Sequence, residues 1–492
     1  MQPNRRKPNR HTWPRMLFLG FLFLFAQACA TRSLDENPAS PHTDKDFIPL
    51  NVTPVWPYDT QPVNPVVVAQ FQQKVQHIIV YFDGNWSFDS LFGSFPGAEG
   101  IRYAPLESLL QRDKRGTLIT RVSPPLFDGR PDPAFAQADL ERLVKPYDLA
   151  QFPLAQACIG PLVQGFYAQQ LAIDGGKNDR FIAWSDNGGL TMGGYDARNF
   201  PEGKLASQFV LFDHFFSATF GGGFLNRQFL IADQVPSFPQ APVSLISTPP
   251  DNQGLTVNDR PLTPDGYVVG LAYSVNHPIP AWVPNTLDLV PDQTYPTIGG
   301  LLSAQGVTWA WYTGGWNSAL LGKPAPNYTW NRSPFQYFQA YADNTEGKKN
   351  HLRDEADFFE ALKKGTLPNV SFVDPLPSGG CDLTAFTESQ KKLQDFVNAL
   401  EKSSAWSSCV LIVTSADNGG HWDHVSPPVV DRWGPGPRVP TLLISPFAKR
   451  GWVEHRPYDA TAILKLIETR WDLPALGARD ASANDLLYAF AF

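Results

Sequence analysis

Cysteine is scarce in this chain: there are four in 492 residues, with no Cys-x-x-Cys pair and no Cys/His cluster. That scarcity excludes a disulfide scaffold and a structural zinc module. Cys29 belongs to an N-terminal segment treated below. Cys158, Cys381 and Cys409 remain, an odd set of three that permits at most one disulfide. Cys409 sits in an apolar run and reads as a buried thiol, while a Cys158–Cys381 pair stays open. Basic charge is short as well. A net charge of -7 leaves no basic face for a nucleic acid, though a local pocket for an anion remains compatible with it. The apolar run Met16 to Ala26, about 11 residues, falls short of a membrane span.

What is present is globular. The chain is 43% hydrophobic and 18% charged, enough for one large core or two smaller ones. Its 46 prolines and 38 glycines are spread along the length and predict long, ordered surface loops. The N-terminus reads as a targeting segment, to be kept out of the fold. Arg5, Arg6, Lys7, Arg10 and Arg15 precede the apolar run, which ends in Ala26-Gln27-Ala28-Cys29. That ending resembles a bacterial lipoprotein signal with Cys29 as the lipidated residue, although such signals usually carry Leu where Ala26 stands. By this resemblance residues 1–28 are a signal peptide and the chain carries a lipid anchor in a bacterial membrane. The lack of Asp after Cys29 favours the outer membrane, facing the periplasm or the surface. Residues 29–70 are polar and Pro-rich and read as a flexible tether. Residues 71–492 form the folded domain.

The domain is organised around Val75 to Gly100. Ile78 to Phe82 is β-branched and aromatic, and short enough for a strand buried on both faces. It stops at Asp83-Gly84-Asn85, which is turn chemistry, and apolar residues resume at helical spacing from Trp86 to Phe92. Open α/β sheets place their sites where a strand empties into such a turn. Further strands are expected at Val307–Tyr312, Val370–Val373, Cys409–Thr414 and Thr441–Ser445, and Val210–Phe216 is an apolar run leading into Gly221-Gly222-Gly223. Helices are expected at Ile298–Gln305, Asp354–Lys364, Glu388–Ala405 and Ala460–Trp471. This alternation argues for an α/β sandwich around a mostly parallel sheet, with an irregular excursion over 235–295.

Three polar clusters follow apolar runs. Ser415 to His424 follows the Cys409 strand as Asp83-Gly84-Asn85 follows its own, and the two could converge on a phosphate or on a hard cation such as Mg²⁺, Ca²⁺ or Mn²⁺. Taken alone, the segment reads first as a turn in which Asp423 and His424 bond neighbouring loops. Gly221-Gly222-Gly223 allows an anion to approach backbone N–H groups, or simply a tight packing turn. Arg227 then faces a phosphate or pairs with a carboxylate. Arg438, entering a strand, binds an anion or, as the leading reading, buttresses its loop. Trp309, Trp311, Tyr312 and Trp316 read as core and pocket wall.

Several strings carry a resemblance: NWSFDSLFGSFPGAEG, IDGGKNDRF, GGGFLNRQFL, TPDGYVVGLAYSVN, TIGGLLSAQGVTWAWYTGGW, HLRDEADFFEALKKGTLPNVSFVDPL, DNGGHWDHVSPP, DRWGPGPRVPTLLISPFAKRGWVEHRPYDATAILKLIETRW and ARDASANDL. In order and spacing they are similar to the bacterial phosphoesterase family of acid phosphatases and phospholipases C, nearest to the acid-phosphatase branch. The resemblance implies an alkaline-phosphatase-like α/β/α sandwich. It also implies a Ser or Thr nucleophile beside a divalent cation, which would stabilise charge on the phosphoryl oxygens.

The chemistry of that family is missing at the matching positions. The family motif usually reads Glu-Asn-x-Ser-Phe-Asp, its Glu a metal ligand. Here Gly84 stands for the Glu, while Asn85, Ser87, Phe88 and Asp89 remain. The hydroxyl residue of the Gly-rich turn is replaced by Gly223. Two acids before Asn-Gly-Gly become Ala416 and Asp417. A family His aligns with Gln164, a His pair with Asn331-Arg332 ahead of Pro334-Phe335, and an Asn-Glu-His-Pro segment with Ser378-Gly379-Gly380-Cys381. Glycine is no nucleophile, and neither Gly nor Ala ligates a metal. The expectation is therefore a pseudoenzyme without a cofactor. Asn85, Asp417, Gly222, Arg227, Asp423 and His424 would be left to hold an anionic small molecule or a polar ligand, or the surface to meet an envelope protein. The alternative is a working acid phosphatase or phospholipase C with a relocated site and a divalent cation, in which Asp83 replaces the Glu and Thr219 or Ser217 supplies the hydroxyl. A third reading is a structural envelope lipoprotein with no ligand.

Overall fold

A computed structural model of the chain describes residues 62–127, 129–152, 162, 165–283, 286–378 and 383–492. The signal segment, Cys29, Cys158, Gln164 and Gly379 to Cys381 lie outside the described residues. The organising run forms strand β1, His77–Phe82, and from Ile78 onward every residue of it is buried. The other strands of its sheet are β2 (Val210–Phe212), β3 (Trp309–Thr313), β4 (Leu352–Asp354), β5 (Val370–Asp374), β6 (Cys409–Thr414), β7 (Thr441–Ile444) and β8 (Trp452–Glu454). The eight strands lie in the order β4-β3-β5-β1-β6-β7-β2-β8. β1 pairs in parallel with β5 and β6, Ile78 facing Val370 on one side and Val410 on the other. Only β7 runs against its neighbours, β6 and β2. The expected mostly parallel α/β architecture is thus what the chain adopts.

Alternation along β1 separates the two covering layers. The Tyr81 ring lies 4.6 Å from Phe396, and its neighbour Phe82 faces the Arg227 guanidinium at 5.1 Å on the opposite side. The helices carrying those partners therefore cover opposite faces. Helix α1 is Phe88–Phe92, α2 is Pro201–Gln208, α3 is Gly223–Ala232, α4 is Leu383–Glu401 and α5 is Ala460–Trp471. α3 packs on α5, and α2 packs on α4. Among the described residues no helix is long and apolar enough to cross a membrane.

Three expectations need correction. The tether does not reach residue 70: Asn64 accepts the Val66 N–H, Pro65 takes the first helical position, and Pro65–Lys74 is a helix that buries Phe71. α4 begins ahead of Glu388 and stops at Glu401, because Ala385 and Phe386 continue its buried stripe while Ser403 turns back to Leu400. Trp309, Trp311, Tyr312 and Trp316 are buried core residues, with no part in the wall of the large cleft. Cys409 is a buried free thiol, and burial pushes it up to about 12.

Candidate functional site

The carboxyl ends of β1, β5 and β6 adjoin because the three strands are parallel neighbours. The Asp83 N–H donates to the Thr414 carbonyl at 2.9 Å, and Ser415 Oγ donates to the Asp83 carbonyl at 3.0 Å. Between these ends and the start of α3 lies a cleft of about 690 Å³. Its wall brings together Asp83, Gly84, Asn85, Gly223, Arg227 and Asp417, as the sequence predicts. It also exposes Arg332, His421 and Ser389, to which the sequence analysis gave no role.

The centre is an ion network. Arg227 Nε donates to Asp374 Oδ2 at 2.7 Å, and Arg332 Nη1 lies 3.0 Å from Asp374 Oδ1. Arg227 Nη1 also donates to the Gly223 carbonyl at 3.0 Å, and Arg332 Nη1 to the Pro375 carbonyl. One carboxylate therefore serves two guanidinium groups, and Arg227 Nη2 with Arg332 Nε and Nη2 have no partner among the described residues. Asp417 Oδ1 accepts the Gly419 N–H at 2.7 Å, and the carboxylate also takes the Gly223 N–H. It thereby caps α3 at its positive end. Burial nevertheless raises the Asp417 carboxyl above the ordinary range. Burial raises Asp83 too, against a 2.6 Å bond from Ser389 Oγ. Gln390 Nε2 spans from Asp83 Oδ2 at 3.4 Å to Glu202 Oε2 at 3.0 Å. Glu202 is pushed up to about 8, first by burial and then by Asp83.

Other polar atoms face inward without a partner. Among the described residues, Asn85 Oδ1, Asn331 Oδ1 and His421 Nδ1 are buried acceptors with no donor. The His421 ring stacks on Trp86 at 4.5 Å. Burial lowers it to about 4, so it is neutral at physiological pH.

A divalent cation does not fit where the resemblance places one. Gly84 has φ +64°, a left-handed backbone that disfavours any side chain. A Cβ on Gly223 would overlap Arg227 Nη1 and would lie 3.0 Å from both Ala416 Cβ and Asp417 Oδ2. A fixed guanidinium thus stands beside the remaining carboxylate, where a second positive charge would be repelled.

Five expected site residues lie elsewhere. Asp423 and His424 are buried with Asp89 and Arg438, away from the cleft wall. Arg438 Nε donates to Asp423 Oδ1 at 2.8 Å, its Nη2 to Asp89 Oδ1 at 3.1 Å, and its Nη1 to the carbonyls of Glu99 and Asp213. It buttresses loops, which is the leading reading of its sequence. Gly222 is exposed as the N-cap of α3. The relocated hydroxyls fail on position: Ser217 bonds the Thr219 carbonyl at 3.2 Å, Thr219 is wholly buried, and neither lines the cleft. Asp374 was the strongest missed residue. Like Asp83 and Asp417 it is an acid at the exit of a buried apolar strand, and that repetition was its signal.

Comparison with known proteins follows this geometry. The chain is 24% identical over 477 residues to a non-hemolytic phospholipase C of Burkholderia pseudomallei, covering 85% of this chain and 59% of that protein. It therefore spans less than two thirds of that relative's length. It is 22% identical over 472 residues to phospholipase C B of Mycobacterium tuberculosis, covering 85% of this chain and 78% of that one. Among solved structures it is similar to a protein in the alkaline phosphatase superfamily from Vibrio parahaemolyticus, at 13% identity and TM-score 0.34 over 60% of this chain and 65% of the other. It is also similar to the PsFucS1 sulfatase of Pseudoalteromonas sp., at 11% identity and TM-score 0.37 over 90% and 79% of the two chains. The Phosphoesterase family pattern matches residues 75–474, nearly the whole of the folded domain, and the chain belongs to the Phosphoesterase family.

Proposed function

We propose that this chain is a phosphoesterase-fold protein that has lost phosphate-ester hydrolysis and uses its cleft to hold an anion of the phosphate type. The observation that carries the reading is the Arg227 guanidinium over Gly223. It occupies the space a nucleophilic hydroxyl would need, and Asp374 and the Gly223 carbonyl fix it there. Nucleophile loss alone lowers turnover by several orders of magnitude.

Anion binding is supported by the charge count at the same point. Asp374 is shared between two arginines, while burial pulls Asp83 and Asp417 toward their neutral forms. The unspent guanidinium nitrogens suit phosphate oxygens, which they meet in charge-assisted bonds. Asn85, Asn331 and His421 then ask for hydroxyl or amine donors on the rest of the ligand.

The test is an assay of the full chain on a chromogenic phosphomonoester and on phosphatidylcholine with Mg²⁺, Ca²⁺, Mn²⁺ and Zn²⁺, beside calorimetric titration with inorganic phosphate. No turnover above background is expected, with saturable phosphate binding that Arg332→Met weakens by about 10- to 100-fold. Turnover that Asp83→Ala or Thr219→Ala abolishes would sink the proposal.

A further inference from the structure

A second group of titratable side chains lies outside the cleft, at the edge of the sheet. β2 and β8 are parallel neighbours with Phe212 facing Glu454, so Asp213 and His455 leave their strands side by side. His214 follows Asp213, and Glu99 arrives from the loop after α1. Asp213 is fully buried and its carboxylate is shared. Oδ1 takes His214 Nδ1 at 2.8 Å, and Oδ2 takes His455 Nδ1 at 2.8 Å and the Glu99 N–H at 2.8 Å.

A carboxylate only accepts, so each imidazole donates from Nδ1, and in the neutral ring the lone pair is on Nε2. A carboxylate that fixes the tautomer in this way is the outer partner found behind metal-bound histidines. His214 Nε2 lies 3.5 Å from Glu99 Oε2. A tetrahedral ion bonded to both at about 2.0–2.1 Å would hold them roughly 3.4 Å apart.

The frame is rigid on one side and open on the other. Arg438 Nη1 bonds the carbonyls of both Glu99 and Asp213, at 2.8 and 2.7 Å. The His455 side chain is 60% exposed and that of Glu99 47% exposed, so an ion can enter from solvent. The contrast with Asp89, Asp423 and His424 is direct, because there Arg438 bonds both carboxylates and supplies the cation itself. At Asp213 its bond goes to the carbonyl.

We propose that His214 and His455, through Nε2, together with Glu99 hold a divalent first-row transition ion of the zinc class, with Asp213 fixing both imidazoles from behind. Two neutral imidazoles and two carboxylates balance the charge of such an ion, and mixed nitrogen and oxygen donors select it over Mg²⁺ or Ca²⁺. The bound ion would clip the β2/β8 edge to the Glu99 loop. None of these residues lines the cleft, so the site stands or falls apart from the proposed function.

The experiment is calorimetric titration of chelator-treated full-length protein with ZnCl₂, with Co²⁺ absorption as a second readout. One ion per chain is expected. His455→Ala and His214→Ala should each weaken it by about 100-fold, with the metal-free melting curve kept. A lack of stoichiometric uptake, or uptake unchanged in both variants, would overturn the proposal.

Discussion

Two arginine–carboxylate assemblies stand at the same edge of the sheet, and they are built to opposite ends. Arg438 spends all three guanidinium nitrogens on Asp423, Asp89 and two carbonyls, stacks on Phe88 at 4.5 Å, and is 0% exposed. Arg227 and Arg332 share Asp374 and leave nitrogens over at the wall of a cleft. The first assembly is closed and its charges have no further partner to seek. The second is incomplete by its own hydrogen-bond count. The difference separates a joint that holds loops together from a surface that awaits a ligand, although the residue types are the same in both.

The largest effect should come from breaking the closed assembly. Arg438→Met would take the guanidinium from two buried carboxylates, Asp89 and Asp423, leaving only His424 beside Asp89, and loss of one partner in such a set costs about 3–5 kcal/mol. Arg332→Met leaves Asp374 paired with Arg227 beside an open cleft, so its cost should be about 1 kcal/mol. Urea unfolding at neutral pH measures both. Equal losses would mean that the second assembly is a structural joint as well, and the comparison would fail.

How much of this was legible beforehand follows from the same contrast. Buried parallel strands announce themselves as short β-branched runs, so β1, β5 and β6, with the turns after them, could be read from sequence. That placed Asp83, Asn85 and Asp417 at one edge correctly. What could not be read was which polar residue faces the cleft and which turns inward. Asp423 and His424 lie only a few positions beyond Asp417, yet Asp423 turns to Arg438 and His424 to Asp89, which is distant in sequence. Arg332 comes from a 3₁₀-rich excursion with no periodicity to follow. Asp374 was visible as a third strand-end acid, but its role depends on Arg227 and Arg332 meeting there.

The open end has a further feature the closed one lacks, a pair of buried carboxyls joined by an amide. Glu202 is pushed up to about 8, while in the unfolded chain it titrates near about 4.3. The folded state therefore holds a proton that the unfolded state releases between those values. The stability this contributes is complete below the unfolded value and is lost as pH rises through the folded one. Glu202→Gln imitates the protonated acid and keeps the bond with Gln390. It should match the parent near pH 4 and exceed it by about 1–3 kcal/mol near pH 8–9, flattening the pH dependence of the urea midpoint. Parallel curves for variant and parent would show that Glu202 is ionised in the fold, and that more negative charge lies behind Asp83 than the anion-binding reading allows.

The smallest effect should follow from returning a hydroxyl to α3. In Gly223→Ser the new Cβ overlaps only Nη1 of Arg227, which can tilt about the Nε bond that Asp374 keeps, so the fold should lose only about 1 kcal/mol. Turnover of a chromogenic phosphomonoester should stay at background with every divalent cation tried, because Gly84 and Ala416 still offer no ligand and Arg332 still bears its charge. Adding Gly84→Glu should not help, since the left-handed backbone at φ +64° strains any side chain there and Trp86 crowds its Cβ at 3.0 Å. Phosphate binding should weaken in step with the displacement of Arg227. Cation-dependent hydrolysis by Gly223→Ser alone would show instead that the open assembly is a dormant active site lacking one oxygen, and the two arginine clusters would then differ in chemistry rather than in closure.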